Sequence, residues 1–247
     1  MITMERVLLK ISYNGSAYHG WQVQPNGVTV QEVLGRKLEQ MYKSKINLTG
    51  CSRTDAGVHA REFYCHYDTD LHIEPVGIVR GLNSVLPKDI AVLSAEYVNS
   101  DFHARYSAKG KNYVYIIRNS AIHDPFEDCR VWHIERALDI DLMNKFCEKI
   151  CGTHDFYGFS SSGRTVTDTT RTVTECFVSR VDDDIVFSIS ADGFLYNMVR
   201  IIVGTAVAVS DGKIMIEDVE DILNSKDRSR AGMTAPPDGL YLNKVFY

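Results

Sequence analysis

The chain has 247 residues, 45% hydrophobic and 24% charged, with 27 basic and 32 acidic side chains and a net charge of −5. That is the balance of an ordinary folded domain or pair of domains, and it lacks the basic excess of a generic nucleic-acid binder. The longest apolar run, residues 201–209, is about half of the roughly 20 residues a helix needs to cross a bilayer; the first residues include Glu5, Arg6 and Lys10, have no signal-peptide shape, and point to a cytoplasmic protein.

In chain order, residues 6–13 alternate, with Val7, Leu9, Ile11 and Tyr13 on one face, and predict a strand. Asn14-Gly15 marks a turn. Thr29 is placed to cap a helix whose apolar stripe runs through Val30, Val33, Leu34, Leu38 and Met41. Strands are expected at 46–51 and 62–67, a helix at 76–83 ending before Pro87, and a strand at 90–98. The second half repeats the plan. It reads as a strand at 111–118 and a helix begun by Asp139 or Asp141. Strands at 171–181 and 185–191 flank an acidic turn. A strongly apolar helix at 196–209, a shorter one at 216–223 and a closing strand at 240–246 follow. Two β-α-β-β-α-β runs predict an α+β fold of two ferredoxin-like halves, residues 1–106 and 107–247. Their sheets, mostly antiparallel, are expected to join edge to edge around a central cleft.

Charge is unevenly spread. Residues 1–106 hold 11 basic and 11 acidic groups, so the whole acidic excess lies beyond them, in runs such as Asp182-Asp183-Asp184 and 217–221. Residues 102–123 contain no acid. They interleave Arg105, Lys109, Lys111 and Arg118 with Tyr106, Tyr113 and Tyr115, a mixture suited to phosphates and bases but also found on an ordinary strand surface. None of the six cysteines forms a CxxC pair. Cys147 and Cys151 share a helix face near His154, which reads as packing rather than as a zinc site. There is no P-loop, GxGxxG, HExxH or GxSxG, so nothing in the sequence asks for a nucleotide cofactor, a metal or a serine nucleophile.

The segment Gly50-Cys51-Ser52-Arg53-Thr54-Asp55-Ala56-Gly57-Val58-His59-Ala60 lies between two expected strands and is rich in small residues. Small residues let a backbone approach a ligand closely, and loops on a rigid scaffold commonly host catalysis. Arg53 near Asp55 favours the ionised carboxylate, which can act as nucleophile or base. By residues alone, a connecting loop with a turn-forming Asp-Ala-Gly is the plainer reading.

Five segments together change that reading. The Asp55 segment is accompanied by Tyr13-Asn14-Gly15 with Tyr18-His19-Gly20-Trp21-Gln22-Val23-Gln24, and by Phe102-His103-Ala104-Arg105-Tyr106-Ser107-Ala108 with Lys111-Asn112-Tyr113-Val114-Tyr115. Gly193-Phe194-Leu195-Tyr196-Asn197-Met198-Val199-Arg200 and Pro237-Asp238-Gly239-Leu240-Tyr241-Leu242 complete the set. In this order, from end to end, they resemble the motifs of the tRNA pseudouridine synthase A (TruA) family.

The resemblance implies an intramolecular transferase that converts uridine to pseudouridine in the anticodon stem-loop of tRNA, at positions 38, 39 and 40, without cofactor or metal. It implies that Asp55 is the catalytic carboxylate, Tyr113 the active-site tyrosine and Arg200 the arginine paired with the catalytic aspartate. Arg53 is expected to orient the loop or hold a phosphate, Leu240 to pack against the base, and Arg105 to attract the RNA backbone. Trp21, Gln22 and His59 are expected to be framework, and Cys51 packing. A homodimer is implied, with tRNA as partner and neither DNA nor membrane. Whether Asp55 attacks carbon or removes a ribose proton stays open, as do an RNA-binding protein without turnover and a synthase acting on another RNA. The loops 121–136 and 158–170 are the expected seats of substrate choice. Many relatives carry Gly-Ala-Gly where this chain has Gly50-Cys51-Ser52, so a left-handed backbone at Ser52 would be strained.

Overall fold

The computed structural model describes residues 4–163 and 166–247. The chain forms two compact units, Met1–Lys109 with Tyr241–Tyr247, and Gly110–Leu240. The boundary expected at residues 106 and 107 thus lies at Lys109, and all of the closing strand but its first residue belongs to the first unit rather than the second.

The first unit runs β1 (Glu5–Tyr13), α1 (Val30–Tyr42), β2 (Thr49–Gly50), β3 (His59–Thr69), α2 (Pro75–Val85) and β4 (Ile90–Val98), the βαββαβ plan read from the sequence. β1 is central, antiparallel to β3 on one side and to β4 on the other. The period-two pattern explains its register. Val7, Leu9 and Ile11 lie opposite Tyr67, Cys65 and Phe63, and all six are fully buried. A slip of one residue would turn this row outward. Above it sits α1, capped by Thr29, whose side chain accepts from the Glu32 N–H, with Val30, Leu34, Leu38 and Tyr42 buried. The Tyr42 and Tyr67 hydroxyls are 2.9 Å apart, tying helix to strand. α2 starts on Pro75, where a missing N–H costs nothing, and buries Ile78 and Leu82.

The edge of β3 away from β1 is shared. β2 pairs with Cys65 and His66, while β10 (Leu240–Phe246) runs parallel to its start, at His59 and Ala60. The strand expected at 46–51 therefore shrinks to two residues, because the chain leaves β3 there to form the Asp55 loop.

The second unit contains β5 (Gly110–Arg118), β6 (Trp132–His133), α3 (Ile140–Ile150), β7 (Gly152–Asp155), β8 (Thr170–Val181), β9 (Asp184–Ala191), α4 (Met198–Ser210) and α5 (Val219–Ser225). β5, β9, β8 and β7 form an antiparallel run, and β6 lies parallel to β5. β6 and β7 are too short to leave a pattern in sequence. Asp139, not Asp141, caps α3, accepting from the Leu142 N–H at 2.9 Å. Cys147 is buried on the apolar face of that helix. α4 begins at Met198, behind Asn197 in the left-handed region at φ 60°, and is buried on nearly every side. Its Gly204 lets another stretch of chain cross, since a Cβ there would stand 1.9 Å from the Met233 carbonyl oxygen. Gly232 N–H donates to Thr205 Oγ1 at the same crossing.

Members of both acidic runs form ion pairs. Asp184 holds Arg118 at 2.6 Å, and Glu220 holds Lys149 at 2.6 Å. In the 121–136 loop, Ile122 and Phe126 are strongly exposed. Arg164 and Thr165, within the 158–170 loop, lie outside the described residues. Among the described residues no helix is long and apolar enough to cross a membrane.

Candidate active site

Asp55 stands half-buried on the loop between β2 and β3, with Arg53 exposed two residues before it. The loop is held at both ends and in the middle. At its start, Cys51 N–H donates to the Tyr64 carbonyl at 2.8 Å, and the Tyr64 N–H faces Cys51 Sγ at 3.4 Å. Cys51 is fully buried, as expected of a packing residue. Beside Asp55, Thr54 Oγ1 meets the Tyr13 hydroxyl at 2.8 Å, and the Thr54 carbonyl accepts from Trp21 N–H at 3.2 Å. Gly57 N–H donates to the Tyr18 carbonyl, and Val58 N–H to the Asp55 carbonyl, each at 3.2 Å. His59 Nδ1 accepts from Gly15 N–H at 3.0 Å.

The 14–21 segment can lie this close only because of two glycines. A Cβ on Gly15 would sit 2.0 Å from the Val58 carbonyl oxygen. One on Gly20, which has φ +80°, would sit 2.3 Å from the Thr54 carbonyl oxygen. These contacts explain why the N-terminal Tyr13 to Gln24 motif and the Asp55 motif occur in one chain: one is the cradle of the other. Trp21 covers Gly50 and packs on Phe63 with ring centres 4.2 Å apart. Trp21 and His59 are buried framework, whereas Gln22 is exposed. Ser52 is not among the residues with positive φ, which besides glycines are Lys43, Cys129, Asp182, Asn197 and Lys226 in the described chain. The loop therefore carries none of the strain feared from replacing glycine.

Arg105 also belongs to the first unit, exposed on the loop between β4 and β5. The backbone supports of that loop, from Arg6, His66 and Tyr247, leave no trace in sequence periodicity because they come from remote positions.

Three further expected site residues lie in the second unit. Tyr113 is buried on β5, 6% exposed, with Phe194 edge-on at 5.0 Å. Arg200 is in the first turn of α4. Its Nε donates to the Ala235 carbonyl at 2.7 Å and its Nη1 to Asn197 Oδ1 at 3.0 Å. Ala235 N–H returns a bond to the Arg200 carbonyl at 3.0 Å. The chain from there to Leu240 is fastened to β5. The Tyr115 hydroxyl donates to the Pro236 carbonyl at 2.8 Å, and Ile116 N–H donates to the Gly239 carbonyl at 2.9 Å. Gly239 passes so near Tyr115 and Ile116 that a Cβ would collide with both. One segment, 235–240, thus links the strand of Tyr113, the helix of Arg200 and Leu240. Arg118 is different: Asp184 and Glu127 engage it, so it leaves the set of basic residues available to a ligand.

Fold and loop define an α+β protein of two units, one of which presents a carboxylate beside an exposed arginine on a braced, glycine-cradled loop. The tRNA pseudouridine synthase family matches residues 10–107 and 146–247, and the chain belongs to that family. It is 48% identical over 244 residues to the tRNA pseudouridine synthase A of Thermoanaerobacter sp. (strain X514), covering 99% of this chain and 100% of that protein. It is 43% identical to that of Acetivibrio thermocellus and 41% to the tRNA pseudouridine synthase A 2 of Clostridium perfringens, with the same coverage.

Proposed function

We propose that this chain isomerises uridine to pseudouridine in tRNA, with Asp55 as the catalytic carboxylate. The observation that carries the reading is the full-length kinship to tRNA pseudouridine synthases A; the braced Asp55 loop supports it. In the reaction the bond from uracil N1 to ribose C1′ breaks, the base turns, and C5 bonds to C1′. C5 gives up a proton and N1 gains one, so the composition of the RNA is unchanged and no cofactor or metal is called on. Asp55, as an ionised group, serves either by attacking carbon or by taking a ribose proton.

In this reading Tyr113 offers its ring to the uracil and its hydroxyl as a polar handle. Leu240 packs on the base, and Arg53, Arg105 and Arg200 meet the negative charge of the RNA. The target lies in the anticodon arm, and the enzyme works as a homodimer. A uridine in a stem must leave the stack first, at a cost of a few kcal/mol, and binding to the RNA backbone offsets that cost.

The test is pseudouridine formation in unmodified tRNA transcripts, wild type beside Asp55→Ala, read by carbodiimide-dependent primer-extension stops. Stops confined to the anticodon arm, and to wild type, are expected. Bound tRNA with no stops on any transcript would replace this reading by an RNA-binding protein without turnover.

A further inference from the structure

The loop between β4 and β5 is held far more firmly than its exposed position requires. Arg6 forms a two-pronged pair with Asp68, at 2.7 and 2.8 Å. It also donates through Nη1 to the carbonyls of Ser100 and Phe102, at 2.5 and 2.8 Å. Ala104, fully buried, is gripped from both sides. Its N–H donates to His66 Nδ1 at 3.1 Å, and its carbonyl accepts from the Tyr247 hydroxyl at 2.7 Å. His103 Nδ1 in turn accepts the N–H groups of Arg105 and Tyr106, at 3.1 and 3.2 Å. Further along, Lys109 N–H donates to the Phe246 carbonyl at 2.8 Å. His66 is only 5% exposed, and burial, aided by Arg6 and His103 against the opposing pull of Asp68, brings its pKa down to about 4. It is thus a neutral acceptor at physiological pH.

All this order converges on a side chain that takes little part in it. Tyr106 gives its backbone N–H to the loop, yet the residue is 77% exposed. Its ring is backed by His103, with ring centres 4.3 Å apart and planes 30° from parallel. The exposed Arg105 guanidinium lies 5.8 Å from the ring centre. Lys109 is exposed nearby in sequence, and residues 102–109 contain no acid. A lone exposed aromatic is ordinary. One mounted on a rigid backbone, backed by a second ring and with a guanidinium beside it, has little entropy left to lose on binding a planar, anionic partner.

We propose that Tyr106 is a further RNA-binding residue, a stacking platform for an unpaired base, with Arg105 on the neighbouring phosphate and with His66, Tyr247 and Arg6 as the residues that position the loop. This rests on the reading of tRNA as substrate. An RNA base is preferred to a second copy of the chain as the occupant because Arg105 lies beside the ring, residues 102–109 carry basic but no acidic side chains, and RNA supplies both a π face and phosphate.

The test compares tRNA dissociation constants for wild type, Tyr106→Phe, Tyr106→Leu and Tyr106→Trp, each checked for oligomeric state and thermal midpoint. Tyr106→Leu is expected to bind roughly 5- to 100-fold more weakly, with Tyr106→Phe within about two-fold of wild type, since the ring and not the hydroxyl stacks. In Tyr106→Trp the added indole is expected to lose emission on tRNA binding beyond any change shown by Trp21 and Trp132 in the wild type. Tyr247→Phe, which removes one hydroxyl from the loop support, is expected to weaken binding less, and to add little to Tyr106→Leu. Wild-type affinity in Tyr106→Leu would overturn the proposal, as would a loss that Tyr106→Phe shares or that accompanies dissociation into monomers. Either result would leave the function standing if wild type forms pseudouridine; a wild type that binds no tRNA would remove both.

Discussion

Asp55 was singled out in the sequence through its neighbours rather than through its own chemistry: a single Asp in a small-residue loop names no reaction. The structure adds the reason that this Asp is held, since Thr54 and Gly57 on either side are bonded to Tyr13, Tyr18 and Trp21. Asp55→Asn keeps the shape and removes the charge. Single-turnover pseudouridine formation is expected to fall by about 10²- to 10⁴-fold or more, while the thermal midpoint stays near that of wild type. His66 yields a second prediction. Its folded pKa of about 4 lies below the ordinary 6.5, so between those values the unfolded chain binds more protons than the folded one. Stability from this group is therefore complete above about pH 6.5 and is lost as pH falls toward 4. The loss is on the order of 3 kcal/mol over the whole window. In His66→Gln, which keeps an acceptor but cannot take up a proton in that range, the urea midpoint is expected to lose that part of its pH slope.

Two helices show why element-level rules need their surroundings. An interior helical glycine is ordinarily about 1 kcal/mol less favourable than alanine. At Gly35, in α1, an added Cβ meets nothing within 4 Å, so Gly35→Ala is expected to raise the unfolding free energy by up to about 1 kcal/mol. At Gly204, in α4, the same methyl would stand 1.9 Å from the Met233 carbonyl oxygen. Gly204→Ala is therefore expected to lower stability, by about 1–3 kcal/mol, and to loosen the crossing that leads into residues 235–240. Urea unfolding of the two variants, side by side, checks the opposite signs. The helix start at Thr29 was readable because capping is local, whereas α2 was expected from 76 and opens one residue earlier, on Pro75. Of the two-residue strands, β2 was expected too long, as 46–51, and β6 not at all, because two residues have no period.

At the scale of the whole molecule, a net charge of −5 and an RNA substrate are reconciled by where the charges go. Acids of the second unit are engaged in ion pairs such as Asp184 with Arg118 and Asp211 with Arg136, whereas Arg53 and Arg105 remain exposed. Few phosphate contacts follow from so small a basic set. The plot of log binding constant against log salt is expected to be linear with a slope of about −2 to −5. A filter-binding series in potassium chloride checks this; a flat plot would refute an RNA contact built on these arginines.

Sequence by itself determined the order of most strands and helices, the family, and the choice of Asp55 as the candidate carboxylate. These depend on alternation, capping and local motifs, which act over a few residues. Only the tertiary structure decided that β10 pairs with β3, that the 14–21 segment cradles the Asp55 loop, and that His66 and Tyr247 grip the loop bearing Arg105 and Tyr106. Each joins residues tens to almost two hundred positions apart. What selects such contacts is the fit of backbone against backbone at glycines and the need to pair buried N–H and carbonyl groups, and neither leaves a period along the chain.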